Sequence, residues 1–213
     1  MSSPSVSKEQ KKDKKFLLIV IAASCLVAAM FGSRNSLSLT IEGIDQSQTL
    51  NYLQISFAFA LGQLVVGAIS PFAGMIADKY GSGKTLTVGI LLGLLGIILI
   101  PYSTTAFTLS ISLGVISSIG LGVAGLPVVL ASVNRLIPQN KVGMAFGLVN
   151  AGQSLGQLIL APLAGFIIVN FGWILCILFL CTVLLLVLPF SFTLRSRTDT
   201  KQPSSVQTKS LSE

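Results

Sequence analysis

The sequence contains no histidine among its 213 residues, and charged residues make up only 10% of it. Without histidine, the chain lacks the commonest side chain for acid–base catalysis near neutral pH and a frequent metal ligand. The low charge excludes an ordinary soluble domain, in which about a quarter of the residues are charged. We therefore expect no metal site, no cofactor and no pair of nucleophile and base that would indicate an enzyme.

Cysteine is also scarce, and basic side chains outnumber acidic ones. The three cysteines, Cys25, Cys176 and Cys181, lie inside apolar runs, so we expect small packing residues and no disulfide framework. Fourteen basic and seven acidic residues give a formal net charge of +7. The basic residues stand at the ends of apolar runs and form no basic face with interleaved aromatic residues, so we expect no binding of nucleic acid.

Apolar residues are abundant, at 52% of the chain, and they come in runs close to the ~18 to 20 residues that cross a bilayer as a helix. The alternating pattern of a membrane β-barrel is not seen. The sequence therefore predicts an all-α membrane protein that lies in the lipid bilayer with six transmembrane helices in residues 16–193. We place them at Phe16–Ile41, Leu50–Ala77, Thr85–Pro101, Ala106–Val133, Val142–Val169 and Trp173–Thr193.

The charges predict how these helices are oriented. Residues 1–15 form a lysine-rich leader, which we expect to be disordered, and residues 194–213 form a polar tail or the start of a linker. The loops on the same side as both termini carry the basic residues Lys79, Lys84, Arg135 and Lys141. The opposite loops carry Glu42 and Asp45 and no lysine or arginine. By the positive-inside rule, both termini lie in the cytoplasm, and we expect a plasma membrane or a bacterial inner membrane.

The six helices differ in polarity. The third and sixth carry almost no strong polar groups, and we expect them to face lipid. One face of the fifth helix carries Asn150, Gln153 and Gln157, and Gln63 belongs to a similar stripe on the second. Such a stripe lines either a cavity or a contact with another helix, and both interpretations stay open. If it lines a cavity, these residues are candidates for substrate binding.

Arg34, followed by Asn35, is the one basic residue that this topology leaves away from the cytoplasmic side. About 18 residues of helix, or ~27 Å, separate it from Phe16. If the helix ends nearby, Arg34 anchors the outer interface. If it continues to Ile41, Arg34 lies inside the membrane, where no predicted helix offers a carboxylate, and its guanidinium suits a substrate carboxylate. Arg34 and Asn35 therefore join the candidate substrate-binding residues.

An internal repeat is visible when the chain is compared with itself at an offset of 91 residues. The matching residues are Pro71, Ala73, Gly74, Ile76 and Gly81 on Pro162, Ala164, Gly165, Ile167 and Gly172. Because three helices are an odd number, the two repeats must be inverted across the membrane, an architecture found in many secondary transporters. Chance matching between apolar segments is the alternative.

The stretch from Gly74 to Lys84, GMIADKYGSGK, is a compact charged segment between the second and third helices, and we expect a tight loop there. Its GSGKT is not a P-loop, because Asp78 stands where the first glycine belongs and membrane helices flank both sides. The stretch instead resembles the loop signature of the major facilitator superfamily. That signature is glycine, three residues, aspartate, a basic residue, any residue, glycine, two residues and a basic residue. Gly74, Asp78, Lys79, Gly81 and Lys84 fill all its positions.

This resemblance implies both a fold and a role for the loop. The fold is half of a twelve-helix transporter, with two inverted three-helix repeats in the half. The role is a cytoplasmic gate that Asp78 helps to lock, and Asp78 can pair there with Lys79 or Arg135. An ordinary solvated turn is the alternative.

Residues 145–173 are similar to the fifth helix of monocarboxylate and oxalate/formate-type facilitators, with a glycine-rich helix, a proline and Gly-Trp. Gly147, Gly152 and Gly156 allow close helix packing, and Pro162 can bend the helix. The fourth helix lacks the arginine that a widespread superfamily pattern places near its outer half. That departure argues against a drug/proton antiporter.

The resemblance implies a secondary transporter that moves a small organic solute, a monocarboxylate, by alternating access. Six of the usual twelve helices are predicted here, so we expect a second six-helix half, or a second copy of this chain, as partner. No aspartate or glutamate lies within the predicted helices, so this half offers no carboxylate to carry a proton. The alternative is a non-transporting six-helix protein that binds or regulates a full-length relative.

Overall fold

The computed structural model describes residues 4–47 and 50–194, and the regular secondary structure within these residues is all helical. Six helical segments of this part are long and apolar enough to cross a membrane. We call them spans 1 to 6, and they are Phe16–Asp45, Tyr52–Tyr80, Ser82–Tyr102, Ala106–Leu136, Gln139–Phe171 and Trp173–Thr193. The predicted fold class and the predicted number of spans are confirmed.

Several spans are built from more than one helix. The α-helices are Pro4–Leu37, Ile41–Ser47, Tyr52–Tyr80, Ser82–Ile98, Ala106–Leu109, Ser118–Val123, Leu126–Leu136, Val142–Phe171, Trp173–Val187 and Phe190–Thr193. The 3₁₀-helices are Ser38–Thr40, Ile100–Tyr102 and Gln139–Lys141, and a π-helix lies at Ser110–Ser117. Most spans extend past their predicted bounds, because polar residues at the end of a span still complete its backbone hydrogen bonds.

The first helix begins at Pro4, well before the predicted start at Phe16. The expectation of a disordered leader is therefore wrong for residues 4–15. Lysine, glutamate and glutamine are good helix formers, and a helix already nucleated in span 1 extends through them residue by residue. Residues 1–3 and the tail at 195–213 lie outside the described residues.

Spans 2 and 3 are joined by one non-helical residue, Gly81. The loop predicted from Gly74 to Lys84 is much shorter than expected, because the helix of span 2 continues through Asp78 to Tyr80. Gly81 has φ 89° and ψ 137°, a conformation that residues with a Cβ rarely adopt. This glycine therefore reverses the chain without a polar linker.

The turn between spans 5 and 6 has the same geometry at Gly172, which has φ 88°. The Gly81 amide donates to the carbonyl of Ala77 at 3.0 Å, and the Gly172 amide donates to that of Ile168 at 3.0 Å. Gly81 and Gly172 are 91 residues apart, as are Ala77 and Ile168, and 91 residues is the offset of the predicted repeat. The two turns lie at opposite ends of the bundle, which we call the Gly81 end and the Gly172 end. The inverted repeat is thus present in the folded backbone.

Replacing Gly81 by alanine is expected to lower the free energy of unfolding by about 2 kcal/mol, because a Cβ strains a backbone in this conformation. The matched control is Gly74→Ala in the same motif, where an added Cβ meets no atom within 4 Å. Alanine at 74 should leave stability unchanged or raise it slightly, since glycine is the poorer helix former. Thermal unfolding in detergent compares the variants, and equal melting temperatures would contradict the assigned turn.

The two ends of the bundle differ in charge. The start of span 1 lies at the Gly81 end, where the Lys141 ammonium is 5.2 Å from the centre of the Phe16 ring. The Gly172 end carries Glu42 and Asp45 in the helix that completes span 1. The Gly81 end carries the basic residues Lys14, Lys79, Lys84, Arg135 and Lys141. The described residues therefore keep the charge asymmetry that the sequence indicated.

Spans 1 and 5 run parallel and meet through glycines. A Cβ added at Gly152 would lie 2.7 Å from the Cβ of Ser24, and one added at Gly156 would lie 2.5 Å from the carbonyl carbon of Ala28. The backbones are therefore too close to admit larger residues. An added Cβ at Gly147 meets no atom within 4 Å, so Gly147 takes no part in this contact, and its packing role stays a prediction.

Spans 3 and 6 do not simply face lipid, as their lack of polar residues suggested. In the most apolar stretch of each span, 50% of the residues are buried in span 3 and 39% in span 6, against 17% in spans 2 and 5. In span 3, a Cβ added at Gly96 would lie 2.6 Å from the Cα of Ser117 in span 4. Apolar side chains suit lipid and a neighbouring helix equally well, so hydropathy does not distinguish the two.

Candidate functional site

Arg34 lies inside span 1 and not at its end. The helix Pro4–Leu37 passes through the 3₁₀-helix Ser38–Thr40 directly into the helix Ile41–Ser47. About eleven residues, or ~16 Å of helix, separate Arg34 from Asp45 at the end of the span. The structure therefore favours the second interpretation of Arg34, in which the guanidinium is held within the membrane.

The partner of Arg34 is a neutral amide on span 2. Its Nη2 atom donates a hydrogen bond to Oε1 of Gln63. Gln63 lies about eleven residues after the start of span 2 at Tyr52, so the two residues lie at similar depth. No carboxylate in the described part of the chain contacts Arg34. A cation at this depth without a counter-ion indicates a functional site.

Two cavities meet at the Arg34–Gln63 pair. The Ser117 cavity, of about 270 Å³, lies on the Gly172 side of the pair, and the Gln157 cavity, of about 330 Å³, lies on the Gly81 side. The residues Arg34, Asn35 and Gln63 line both cavities. The other polar lining residues are Ser38, Ser117 and Ser118 in the Ser117 cavity and Ser70, Gln153 and Gln157 in the Gln157 cavity.

The structure brings together most of the predicted substrate-binding residues. The Gln157 cavity is lined by five of the six, namely Arg34, Asn35, Gln63, Gln153 and Gln157. Asn150 does not line it, and its side chain donates to the carbonyl of Phe146 at 3.0 Å within its own helix. Periodicity did not reveal this difference, because the short asparagine side chain can bond the preceding turn. That these residues bind substrate stays a prediction.

The serines of span 4 were missing from the predicted site. The π-helix Ser110–Ser117 carries Ser117 to the cavity wall, and Ser118 follows it. The Ser118 hydroxyl donates to the carbonyl of Leu113 at 3.1 Å, five residues back along the chain. π-Helices are rare and frequently occur at functional sites. Glycine and serine are common in membrane helices, so the sequence gave no specific indication of this one.

Asp78 and Arg135 form an ion pair at the Gly81 end. Nη2 of Arg135 in span 4 contacts Oδ1 of Asp78 in span 2. The other predicted partner, Lys79, instead has its ammonium 5.4 Å from the centre of the Tyr80 ring. The side chains of Arg135 and Asp78 are 40% and 60% exposed, so water screens their attraction. An exposed pair that links two spans can open at small cost, as a gate requires, although the gate itself stays a prediction.

The remaining residues of the loop motif shape the turn or face outward. Gly81 forms the turn, and Lys84 is exposed. Gly74 has open space where a Cβ would stand. The described residues therefore give no packing reason for glycine at position 74. The same part of the chain contains no cluster of three metal-ligating side chains.

The coupling free energy between Asp78 and Arg135 is expected to be below about 1 kcal/mol, because both side chains are exposed. Asp78→Asn and Arg135→Gln should each lower the free energy of unfolding slightly, and the double variant should lose less than their sum. Denaturant unfolding at low and high salt measures the coupling, which should fall as salt screens the charges. Lys84→Gln serves as a control, because its effect on the free energy of unfolding should simply add to that of Asp78→Asn. A coupling of zero at low salt would contradict the ion pair.

The family of this chain is established by its match to a family model. The model of the Major Facilitator Superfamily matches residues 19–212. The chain belongs to the Major Facilitator Superfamily. The family and its fold are those of transporters and not of enzymes, so the expectation of a non-enzyme is confirmed. With its six apolar spans, this superfamily member is an integral membrane protein.

Several curated relatives match the superfamily chain over part of their length. The riboflavin transporter RibZ of Clostridioides difficile (strain 630) is 28% identical over 76% of this chain and 35% of its own length. Monocarboxylate transporter 11 of Mus musculus is 25% identical over 84% of this chain and 39% of its own. Monocarboxylate transporter 2 of Homo sapiens is 27% identical over 73% of this chain and 32% of its own. The chain spans about a third of the length of these relatives.

A solved structure shares the fold. The inward-open xylose transporter XylE from E. coli superposes with a TM-score of 0.70 at 15% identity, over 84% of this chain and 48% of that chain. At this identity the likeness establishes the fold alone. The superfamily member described here therefore corresponds to about half of a complete transporter fold, as its six spans predicted.

Proposed function

We propose that this Major Facilitator Superfamily chain is one half of a secondary transporter that carries a small organic carboxylate, such as a monocarboxylate, by alternating access. The observation that carries the proposal is the position of Arg34. Its guanidinium lies within span 1, borders two cavities and has the neutral amide of Gln63 as partner. Two of the relatives named above are monocarboxylate transporters, which supports the same substrate class.

The charge of Arg34 favours an anionic ligand. An arginine at the centre of a membrane helix is unfavourable by about 3 kcal/mol or more. The amide oxygen of Gln63 occupies one donor, whereas a guanidinium has five in a planar fork. A carboxylate can accept two of these bonds at once and neutralise the charge. An organic anion in either cavity is therefore the ligand that complements this site best.

Alternating access requires that Arg34 be reached from each side in turn. The Ser117 cavity lies on the Gly172 side of the Arg34–Gln63 pair, and the Gln157 cavity lies on the Gly81 side. We propose that the ion pair of Asp78 and Arg135 belongs to the gate at the Gly81 end. Opening this exposed pair as the half rocks against its partner would change access to the Gln157 cavity.

The charge distribution supports one orientation. Basic residues gather at the Gly81 end, while Glu42 and Asp45 lie at the Gly172 end. The positive-inside rule then directs the Gly81 end and both termini to the cytoplasm, in a plasma membrane or a bacterial inner membrane.

We propose that the exposed faces of spans 2 and 5 contact a second six-helix half. Lipid would surround the rest of the bundle. Their most apolar stretches are only 17% buried, the lowest share of the six spans. Open space beside Gly74 on span 2 would let another backbone approach closely. A second copy of this chain is the other candidate for this surface.

Uptake of radiolabelled lactate into proteoliposomes tests the proposal. The chain is reconstituted once alone and once together with a candidate second half. The second half reconstituted alone is the control. Uptake that needs both halves is the expected result, and uptake by the chain alone would support a transporting homodimer. Absence of lactate and other carboxylate uptake in every combination would contradict transport. That outcome would favour a protein that binds or regulates a full-length relative.

A further inference from the structure

Three carboxamides that line the Gln157 cavity, those of Asn35, Gln153 and Gln157, have no side-chain hydrogen-bond partner among the residues that the structure describes. Gln153 and Gln157 lie about one turn apart on span 5, are half-buried, and line the cavity that contains Arg34. By contrast, the Gln63 amide accepts from Arg34, and the Asn150 amide, which lies outside the cavity, donates to a carbonyl of its own helix. The amides of Gln153 and Gln157 are open to the cavity, where water can bond them, so a ligand that displaces this water must supply hydrogen bonds in its place, and this pair indicates a place for a polar ligand group.

We infer that the transported anion carries a second hydrogen-bonding group, which binds the carboxamides of Gln157 and Gln153 while its carboxylate binds Arg34. This inference rests on the proposed function and narrows its substrate class. A carboxylate on Arg34 alone leaves both amides unsatisfied. An aliphatic tail beside them would displace water without replacing its hydrogen bonds, whereas a hydroxyl, carbonyl or amide group would replace them.

The register of spans 1 and 5 gives the separation, along the helix axes, of the two side chains that would hold the polar groups of the ligand. Gly156 lies against Ala28, where an added Cβ would be 2.5 Å from the Ala28 carbonyl carbon. Arg34 lies six residues beyond Ala28, and Gln157 lies one beyond Gly156 in the parallel span. Gln157 is therefore about five residues, or ~7 to 8 Å, nearer the Gly81 end than Arg34. Side chains of both helices lean in the same direction, so the separation holds approximately for their polar groups.

This separation points to a functionalised carboxylate of about six carbons. In an extended 6-hydroxyhexanoate the hydroxyl lies ~7 to 8 Å from the carboxyl carbon, from standard bond lengths. The cavities of about 270 and 330 Å³ on the two sides of Arg34 have room for such a molecule. Carboxylates with a hydroxyl, oxo or amide group at the far end therefore fit better than short or purely aliphatic acids.

Binding of three acids to the full chain in lipid nanodiscs tests this inference. Hexanoate, 2-hydroxyhexanoate and 6-hydroxyhexanoate are compared by calorimetry. We expect 6-hydroxyhexanoate to bind about tenfold more tightly than the other two, the effect of one good hydrogen bond. The 2-hydroxy acid controls for polarity, because its hydroxyl is adjacent to the carboxylate and cannot reach Gln157.

Substitutions separate this inference from the proposed function. Gln157→Leu should reduce the tenfold preference to about one, whereas Asn170→Leu should keep it. Asn170 is the matched control on span 5, since its amide already donates to the carbonyl of Phe166 at 2.8 Å. Equal binding of the three acids, or a preference unchanged in Gln157→Leu, would overturn the inference and leave the carboxylate function in place. Binding of none of them would overturn both.

Discussion

Replacing Arg34 by glutamine is expected to reduce carboxylate uptake at least a hundredfold in the reconstituted transporter. A guanidinium holds a carboxylate through two charge-assisted hydrogen bonds, whereas a glutamine offers one neutral donor group. The bundle should still fold, because a glutamine at position 34 can bond the amide of Gln63. The loss should therefore appear in transport and not in the amount of folded protein.

Two further variants sharpen this experiment. Arg34→Lys keeps the charge but lacks the planar fork, so we expect an intermediate loss of about tenfold. Lys14→Gln removes an exposed cation from the same helix and should leave uptake unchanged. Initial rates are measured below saturation, and size-exclusion profiles check the folding of each variant. If Arg34→Gln transports normally, Arg34 has a structural role and does not hold the substrate.

Replacing Gly156 by alanine is expected to lower the free energy of unfolding by about 3 kcal/mol, although alanine normally stabilises a helix. An added Cβ would lie 2.5 Å from the carbonyl carbon of Ala28 and closer still to other backbone atoms of that residue. Backbone atoms cannot turn aside as a side chain can, so spans 1 and 5 must separate. That separation would also disturb the cavity wall at Gln157.

The matched control is Gly147→Ala, on the same helix, where an added Cβ meets no atom within 4 Å. There we expect unchanged stability or a gain of up to about 1 kcal/mol. Thermal unfolding should show the Gly156→Ala midpoint ~6 to 12 °C below the wild type, from the usual relation of free energy to melting temperature. Equal midpoints for both variants would contradict the close contact of spans 1 and 5.

Hydropathy and charge predicted the number of spans, but not where span 1 ends. The predicted span ends at Ile41, and the alternative let the helix end near Arg34, whereas the structure continues through Ser38–Thr40 as a 3₁₀-helix and on to Asp45. Small hydroxyl side chains bond nearby carbonyls, as Thr40 does to that of Leu37, and therefore fit within a span. The depth of Arg34 depended on this detail, which the sequence left open.

Helical periodicity predicted that Gln153 and Gln157 share a face, but it could not show which polar groups are already satisfied. Asn150 has the same periodicity and is bonded within its own helix. The packing of span 3 was missed for a different reason. Gly89, Gly93 and Gly96 lie on one face of the helix. The spacing of the glycines does not show whether another helix packs against that face, so the sequence could not predict this contact.

The turns at Gly81 and Gly172 have nearly the same backbone, although they lie at opposite ends of the bundle. The backbone of these turns therefore carries no signal for the orientation of the protein. Lys79 and Lys84 flank one turn, while Phe171 and Trp173 flank the other. If the positive-inside rule holds for this protein, a few exposed cations near Gly81, and no feature of the main chain, decide which way the bundle is inserted.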